Sequence, residues 1–180
     1  NLRLMDFKQT KAALEGFAKS VIKQAKGNLA RHKNNRFITG NQSGELFNSL
    51  GYKSSGLNLQ FYMADYGMFQ DEGVKGSKST YSKSRESRFK YTNERPPMQP
   101  IAEWAKAKNI RLRDEKGKFK KGNYRTIGFI IAKSIFEKGI RASFFFTKPF
   151  EQNFEKLPSE LLDKLAIDID YLLDFERWAK

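Results

Sequence analysis

A chain of 180 residues is long enough for one domain with a sizeable core, and its 39% hydrophobic and 30% charged residues point to a modest core carrying polar excursions. It holds no cysteine and a single histidine, His32, which excludes disulfides, Cys-ligated zinc, His-pair metal sites and a Cys–His nucleophile. There is no apolar run of about 18 residues and no signal-peptide pattern, so the chain reads as soluble and non-secreted with no membrane partner; its net charge of +14 calls for a polyanion or a neighbour of opposite sign.

The first predicted element is a helix from Asp6 to Lys33, within a basic segment, 1–36, that has nine basic and two acidic residues. Phe7, Leu14, Phe17, Ala18, Val21, Ile22, Ala25 and Leu29 fall in an arc of roughly 140° at helical spacing. Lys8, Lys11, Lys19, Lys23 and Lys26 fill an adjacent arc of roughly 120°, either a solvated face or a docking stripe. Asp6 is the expected N-cap, and His32 complements the dipole at the far end. Gly16 and Gly27 each weaken the helix by about 1 kcal/mol relative to alanine, which predicts a kink or a close packing contact.

Residues 37–56, FITGNQSGELFNSLGYKSSG, break that period, with Leu46, Phe47 and Leu50 supplying a short apolar turn or helix. Leu57, Leu59, Phe61 and Met63 alternate as in a half-buried strand. A second strand is predicted over Tyr66–Gln70, ended by Asp71-Glu72-Gly73. Residues 74–95 carry seven basic and two acidic residues among many serines, with no apolar period; the expectation is an exposed, mobile loop or ribbon tip. Pro96, Pro97 and Pro100 lead into a short helix with Ile101, Trp104 and Ala105 on its apolar side. Residues 111–125, again seven basic and two acidic, suit a small hairpin around Glu115-Lys116-Gly117-Lys118. Thr126 is placed to cap a helix whose apolar face is Ile127, Ile130, Ile131, Ser134 and Ile135, with Gly139 as its stop.

The stretch SFFFTKPF, residues 143–150, raises the choice between a base-stacking platform and a buried segment. In a strand Phe144 and Phe146 point one way and Phe145 the other, so the three rings cannot form one continuous surface, and Pro149 ends any strand there. Core packing is the favoured reading, ahead of a subunit contact and of base stacking, which needs rings spaced along one exposed face. The final helix spans 158–178, with Leu161, Leu162, Leu165, Ile169, Leu172 and Leu173 on its apolar side and Glu160, Asp163, Asp170 and Asp174 on another. Residues 151–180 hold eight acidic and four basic residues, so a basic first helix faces an acidic last one, within the molecule or between neighbouring copies.

No catalytic constellation emerges. One histidine and no cysteine leave no nucleophile–base set, and the glycines of GVKGSKST lack phosphate-loop spacing. Acids near a lysine, such as Asp65, Asp71 and Glu72 near Lys75, could in principle hold Mg²⁺ as nucleases do, and turn formation explains them more simply. The chain is expected to be no enzyme and to need no cofactor.

Three stretches, in order, resemble the neck or tail-completion proteins of tailed bacteriophages: Ser43-Gly44-Glu45-Leu46-Phe47-Asn48-Ser49, Tyr66-Gly67-Met68-Phe69-Gln70-Asp71-Glu72-Gly73, and Lys148-Pro149-Phe150-Glu151. With RPPMQPIAEWAKAKNI they run across most of the chain; the departures are the two basic insertions and serine in place of threonine at Ser43. The resemblance implies a single α+β domain over 1–180, a small antiparallel β-sheet packed against a long N-terminal helix and a C-terminal helix. It implies a virion subunit made in the bacterial host cytoplasm, repeated in a homo-oligomeric ring that joins portal or head-closure proteins to the tail around double-stranded DNA. Lys8, Lys11, Lys19, Lys23, Lys26, Glu160, Asp163, Asp170 and Asp174 are then the subunit-interface candidates. Lys75, Lys78, Lys83, Arg85, Arg88, Lys116, Lys118, Lys120 and Lys121 are the candidates for facing DNA or a partner protein. The alternative reading is a stand-alone, non-specific nucleic-acid-binding protein.

Overall fold

A computed structural model describes residues 7–31, 44–120 and 122–178, the last seven of these by backbone alone. The expected roles of Asp6, His32, Ser43 and Lys121, and of the Asp174 side chain, lie outside what is described. The fold is α+β, with a long N-terminal helix, small antiparallel sheets and a long C-terminal helix. The chain groups into two compact units: residues 1–67 with 144–180, and residues 68–143.

The first unit is organised by helix α1, Lys8–Arg31, whose buried side is Leu14, Phe17, Ala18, Val21, Ala25 and Leu29, as the spacing predicts. Its second half packs on α2, Glu45–Ser49, where Leu46 and Leu50 close over Ala25 and Leu29. Strands β1, Gly51–Ser55, and β2, Asn58–Tyr62, form an antiparallel hairpin in which Tyr52 faces Phe61 and Gly51 faces Tyr62. The partner strand, GYKSS, has no apolar alternation; cross-strand bonding to the patterned strand makes it β.

The three phenylalanines are no strand. Phe144 adopts a positive φ of 52°, the chain bends, and Phe146 becomes the N-cap of helix α6, Thr147–Phe154. Pro149 sits inside that helix's first turn, where its missing N–H leaves no unmet bond. Packing in the core is nevertheless what the rings do. Phe145 is fully buried among Ala25, Leu29, Leu46 and Leu50, and its carbonyl accepts from Asn28 Nδ2 at 3.2 Å. Phe146 and Phe150, stacked on each other, meet Phe17 and Phe61 edge-to-face, with ring centroids 5.3–6.1 Å apart throughout the cluster.

Helix α7, Leu157–Trp178, packs along the first half of α1 through Leu157 and Leu161. Between them Asp168, 158 residues from Thr10 in sequence, caps α1: its carboxylate accepts from the Gln9 amide at 3.1 Å, the Thr10 amide at 2.9 Å and the Thr10 hydroxyl at 2.8 Å. These are second- and third-position amides of α1, which have no partner within their own helix. Burial pushes the Asp168 carboxyl up, but the Thr10 bonds, the Gln9 amide and the charge of Lys11 outweigh it and hold the group below its ordinary value. The folded carboxyl therefore protonates at lower pH than the unfolded one. Its stabilisation is complete above the unfolded value of about 3.9 and disappears as pH falls through the lower folded value. Asp168→Asn is expected to lower the melting temperature on the order of 5 °C at neutral pH, a difference that shrinks on acidification below about pH 4; thermal melts of both proteins across pH measure it.

In the second unit the segment expected as strand Tyr66–Gln70 is helical instead: α3 spans Gly67–Glu72. Six residues are too few for periodicity to separate a helical turn from an aromatic strand. Segment 74–95 is only partly exposed. Its start, β3, Val74–Lys75, pairs with β6, Gly139–Ile140, and two buried serines staple the rest. Ser84 Oγ donates to the Ile140 carbonyl and accepts from the Ala142 amide, both at 2.8 Å, and Ser87 Oγ donates to the Gly73 carbonyl at 2.7 Å. Serine-rich composition, read as a sign of a loose loop, here supplies the hydroxyls that fix it.

Helices α4, Met98–Ala107, and α5, Tyr124–Lys138, pack closely because Gly128 stands against Ala102: a Cβ on Gly128 would lie 2.8 Å from that of Ala102 and 2.9 Å from the Met98 carbonyl oxygen. This approach rotates α5 away from the expected face, burying Ile127, Gly128 and Ala132 and leaving Ile130 exposed. Asn123, and not Thr126, is the N-cap; its side chain accepts from the amide and the hydroxyl of Thr126, both at 2.8 Å. The expected hairpin is present as β4, Leu112–Arg113, paired with β5, Phe119–Lys120.

Candidate interaction surfaces

The apolar side expected for the last helix is divided. Leu157 and Leu161 turn inward, while Leu162 and Ile169 lie exposed on one flank and Ile167 and Tyr171 on the other, with Leu162 67% and Tyr171 68% accessible. Glu160, Asp163 and Asp170 are exposed on the same helix. At helical spacing Ile167 falls inside the arc of these acids, and Tyr171 beside it, so the outer side of α7 is acidic and apolar together.

The lysine stripe of α1 also faces outward, with Lys8, Lys19 and Lys23 exposed. Lys19 pairs with Glu15 of its own helix at 3.4 Å, and Lys26 lies over the Phe47 ring, 5.1 Å from its centroid. Among the described residues, Lys8, Lys19, Lys23 and Lys26 meet no carboxylate of α7. The two helices meet through apolar side chains and the Asp168 cap, where half-buried Lys11 adds its charge, while Lys8, Lys19 and Lys23 of α1 and Glu160, Asp163 and Asp170 of α7 face outward.

The cations of the second unit differ in how they are engaged. In 74–95, the Lys78 ammonium donates to Glu137 at 2.8 Å, and Arg88 pairs with Glu72 at 2.9 Å while lying over Phe89. The bond from Lys78 is the main cause of the lowered pKa of Glu137. The Lys75 backbone is bonded on both sides, its N–H to the Phe89 carbonyl and its carbonyl to the Tyr91 amide. Lys83 and Arg85 are exposed. In and beside the β4–β5 hairpin no ion pair among the described residues engages Arg111, Arg113, Lys116, Lys118 or Lys120, nor Arg125 at the start of α5, and Phe119 is 62% exposed. Beneath it a cleft of about 290 Å³ is lined by Ile110, Leu112, Tyr124 and Ile127 with Arg111 and Lys120. Composition revealed the hairpin's charge but passed over Arg111, Arg113 and Phe119, whose pairing depends on strand register.

Asp71 is buried within α3, Glu72 is committed to Arg88, and Asp65 is exposed. Among the described residues no three His, Asp or Glu side chains are grouped to hold a metal ion, and no helix is long and apolar enough to cross a membrane. No family model, no curated protein and no solved structure matches the chain.

Proposed function

We propose that the chain is a structural virion subunit, one copy of a ring in the neck or tail of a tailed bacteriophage, where it joins portal or head-closure proteins to the tail around the DNA channel. The observation that carries this reading is helix α7, which leaves Ile167 and Tyr171 in water among Glu160, Asp163 and Asp170, and Leu162 and Ile169 in water on its other flank. Large apolar side chains left in water beside charge mark a protein contact. The same unit offers an outward face of opposite sign on α1. A contact between α7 of one copy and α1 of the next joins two different surfaces, so it is head-to-tail and closes into a ring when the rotation per step permits. The apolar residues supply affinity, and the lysine and carboxylate faces supply register.

Leu162→Lys with Tyr171→Lys removes the apolar anchors and reverses local charge at exposed positions, so the fold is expected to survive and assembly to fail. Light scattering and negative-stain imaging of the intact protein and of this variant test it: multimers for the first and monomers for the second are expected. A variant that assembles as well as the parent contradicts the reading. The alternative, a stand-alone nucleic-acid-binding protein, draws on the unpaired cations of the hairpin; it predicts a monomer that binds DNA tightly without assembling.

A further inference from the structure

We propose that one face of the β4–β5 hairpin is a phosphate-binding fork for DNA, in which Arg111 and Arg113, laid across the exposed Phe119 ring, take neighbouring phosphates of one strand. This rests on the reading of the chain as a subunit around a DNA path and names which of its two basic segments meets that DNA. The register sets the face: Arg113 stands directly across from Phe119, and Leu112 from Lys120. Successive residues of a strand point to opposite sides, so Arg111, two positions before Arg113, extends the face of Arg113 and Phe119. Both guanidinium carbons lie over the ring, 5.7 Å from its centroid for Arg111 and 4.4 Å for Arg113.

Each guanidinium is also tethered through one nitrogen. Arg111 Nε donates to Asn109 Oδ1 at 3.3 Å, and Arg113 Nη1 donates to the Gly117 carbonyl at 2.9 Å. Ring and tether hold the two forks in place, while their other N–H donors meet no protein acceptor among the described residues. Asp114, next to Arg113 in sequence, closes the turn, its Oδ1 accepting from the Lys118 amide at 2.8 Å. Carboxylate-free, planar, pre-positioned cations side by side suit the oxygens of successive phosphates, with Lys116, Lys118 and Lys120 adding charge. In the 74–95 segment Lys78 and Arg88 are paired with Glu137 and Glu72, and a single arginine, Arg95, lies over the Phe129 and Phe136 rings, so no two guanidiniums share a ring there. An exposed ring lying under two arginines is less available to stack on a base, so binding should follow charge and not sequence.

The test is binding of the full chain to a short mixed-sequence DNA duplex across a salt series, with light scattering on the same samples. Arg111→Gln with Arg113→Gln is expected to weaken binding on the order of 10- to 100-fold at low salt and to reduce the salt slope by about 1.8, two phosphate contacts' worth. Phe119→Leu keeps the cations and loses the ring, so affinity should fall with the slope unchanged. Lys83→Gln with Arg85→Gln should change binding less than about twofold. Equal losses from both pairs, or no loss from the arginine pair, overturn the proposal. So does an intact chain that ignores the duplex but retains polyglutamate, which would make the face a docking site for an acidic protein. Assembly is read separately: intact multimers that fail to bind DNA defeat this inference and leave the connector reading standing.

Discussion

Phe145→Ala is expected to destabilise the first unit by about 3–5 kcal/mol. Phe145 is the largest side chain with no exposure at all, and it is enclosed by Ala25 and Leu29 of α1 and by Leu46 and Leu50 from α2 and its C-cap, with Ile22 and Met63 against the same cluster. Truncation removes both the transfer free energy of the ring and the contacts around it, and a site framed by two helices collapses poorly into the space left behind. Against a typical total of 5–15 kcal/mol this is a large fraction. In urea the unfolding midpoint should move down by about 1–3 M, whereas Phe145→Leu, which keeps most of the volume, should move it by less than half as much. Phe144→Ala, at a half-buried position one residue earlier, should be far milder. Equal effects at Phe144 and Phe145 would mean that the bend does not sort the rings as described.

Gly139→Ala is expected to destabilise the second unit by about 3 kcal/mol or more. Gly139 has φ 82° and ψ −168°, a region only glycine visits readily, and its N–H closes α5 by donating to the Ile135 carbonyl. A Cβ there would run into the Val74 carbonyl oxygen and come within 2.6 Å of the Gly76 nitrogen. Those backbone atoms belong to β3 and the residue that follows it, so relief requires breaking the β3–β6 ladder. The measurable result is loss of hydrogen-exchange protection at Ser77, Ser79 and Ala142, whose amides are bonded to Phe136, Glu137 and Ser84 around this junction. Gly16→Ala provides the contrast: nothing lies within 4 Å of a Cβ at Gly16, and alanine there should stabilise α1 by about 1 kcal/mol. The close packing anticipated at that glycine is absent.

These two positions also show where sequence is a good guide. Gly139 as a helix stop and the long α1 were legible because each rests on a local rule: a residue able to take positive φ, and an apolar stripe sustained over 24 residues. The bend at Phe144 was not, because nothing local favours a left-handed phenylalanine; the packing of Phe145 and Phe146 into two adjoining clusters imposes it. Asp168 leaves a trace in the sequence: at helical spacing it falls between Leu157 and Leu161, and an acid on an apolar arc must find donors. Its donors lie at the other end of the chain, so their identity comes only from the fold. On the candidate surfaces, composition located the charged faces of α1 and α7. The exposure of Leu162 and Ile169 was not visible in the periodicity, because only Leu157 and Leu161 of α7 are taken up by the cluster on α1.

The account depends most on α7 of one copy meeting α1 of another, and a chain without cysteine allows a direct measurement. Copies carrying only Lys23→Cys are mixed with copies carrying only Asp163→Cys and oxidised gently. Covalent dimers containing one copy of each kind, absent when either is oxidised alone, are the result predicted. Chains that stay uncoupled at concentrations where the parent protein assembles would contradict it.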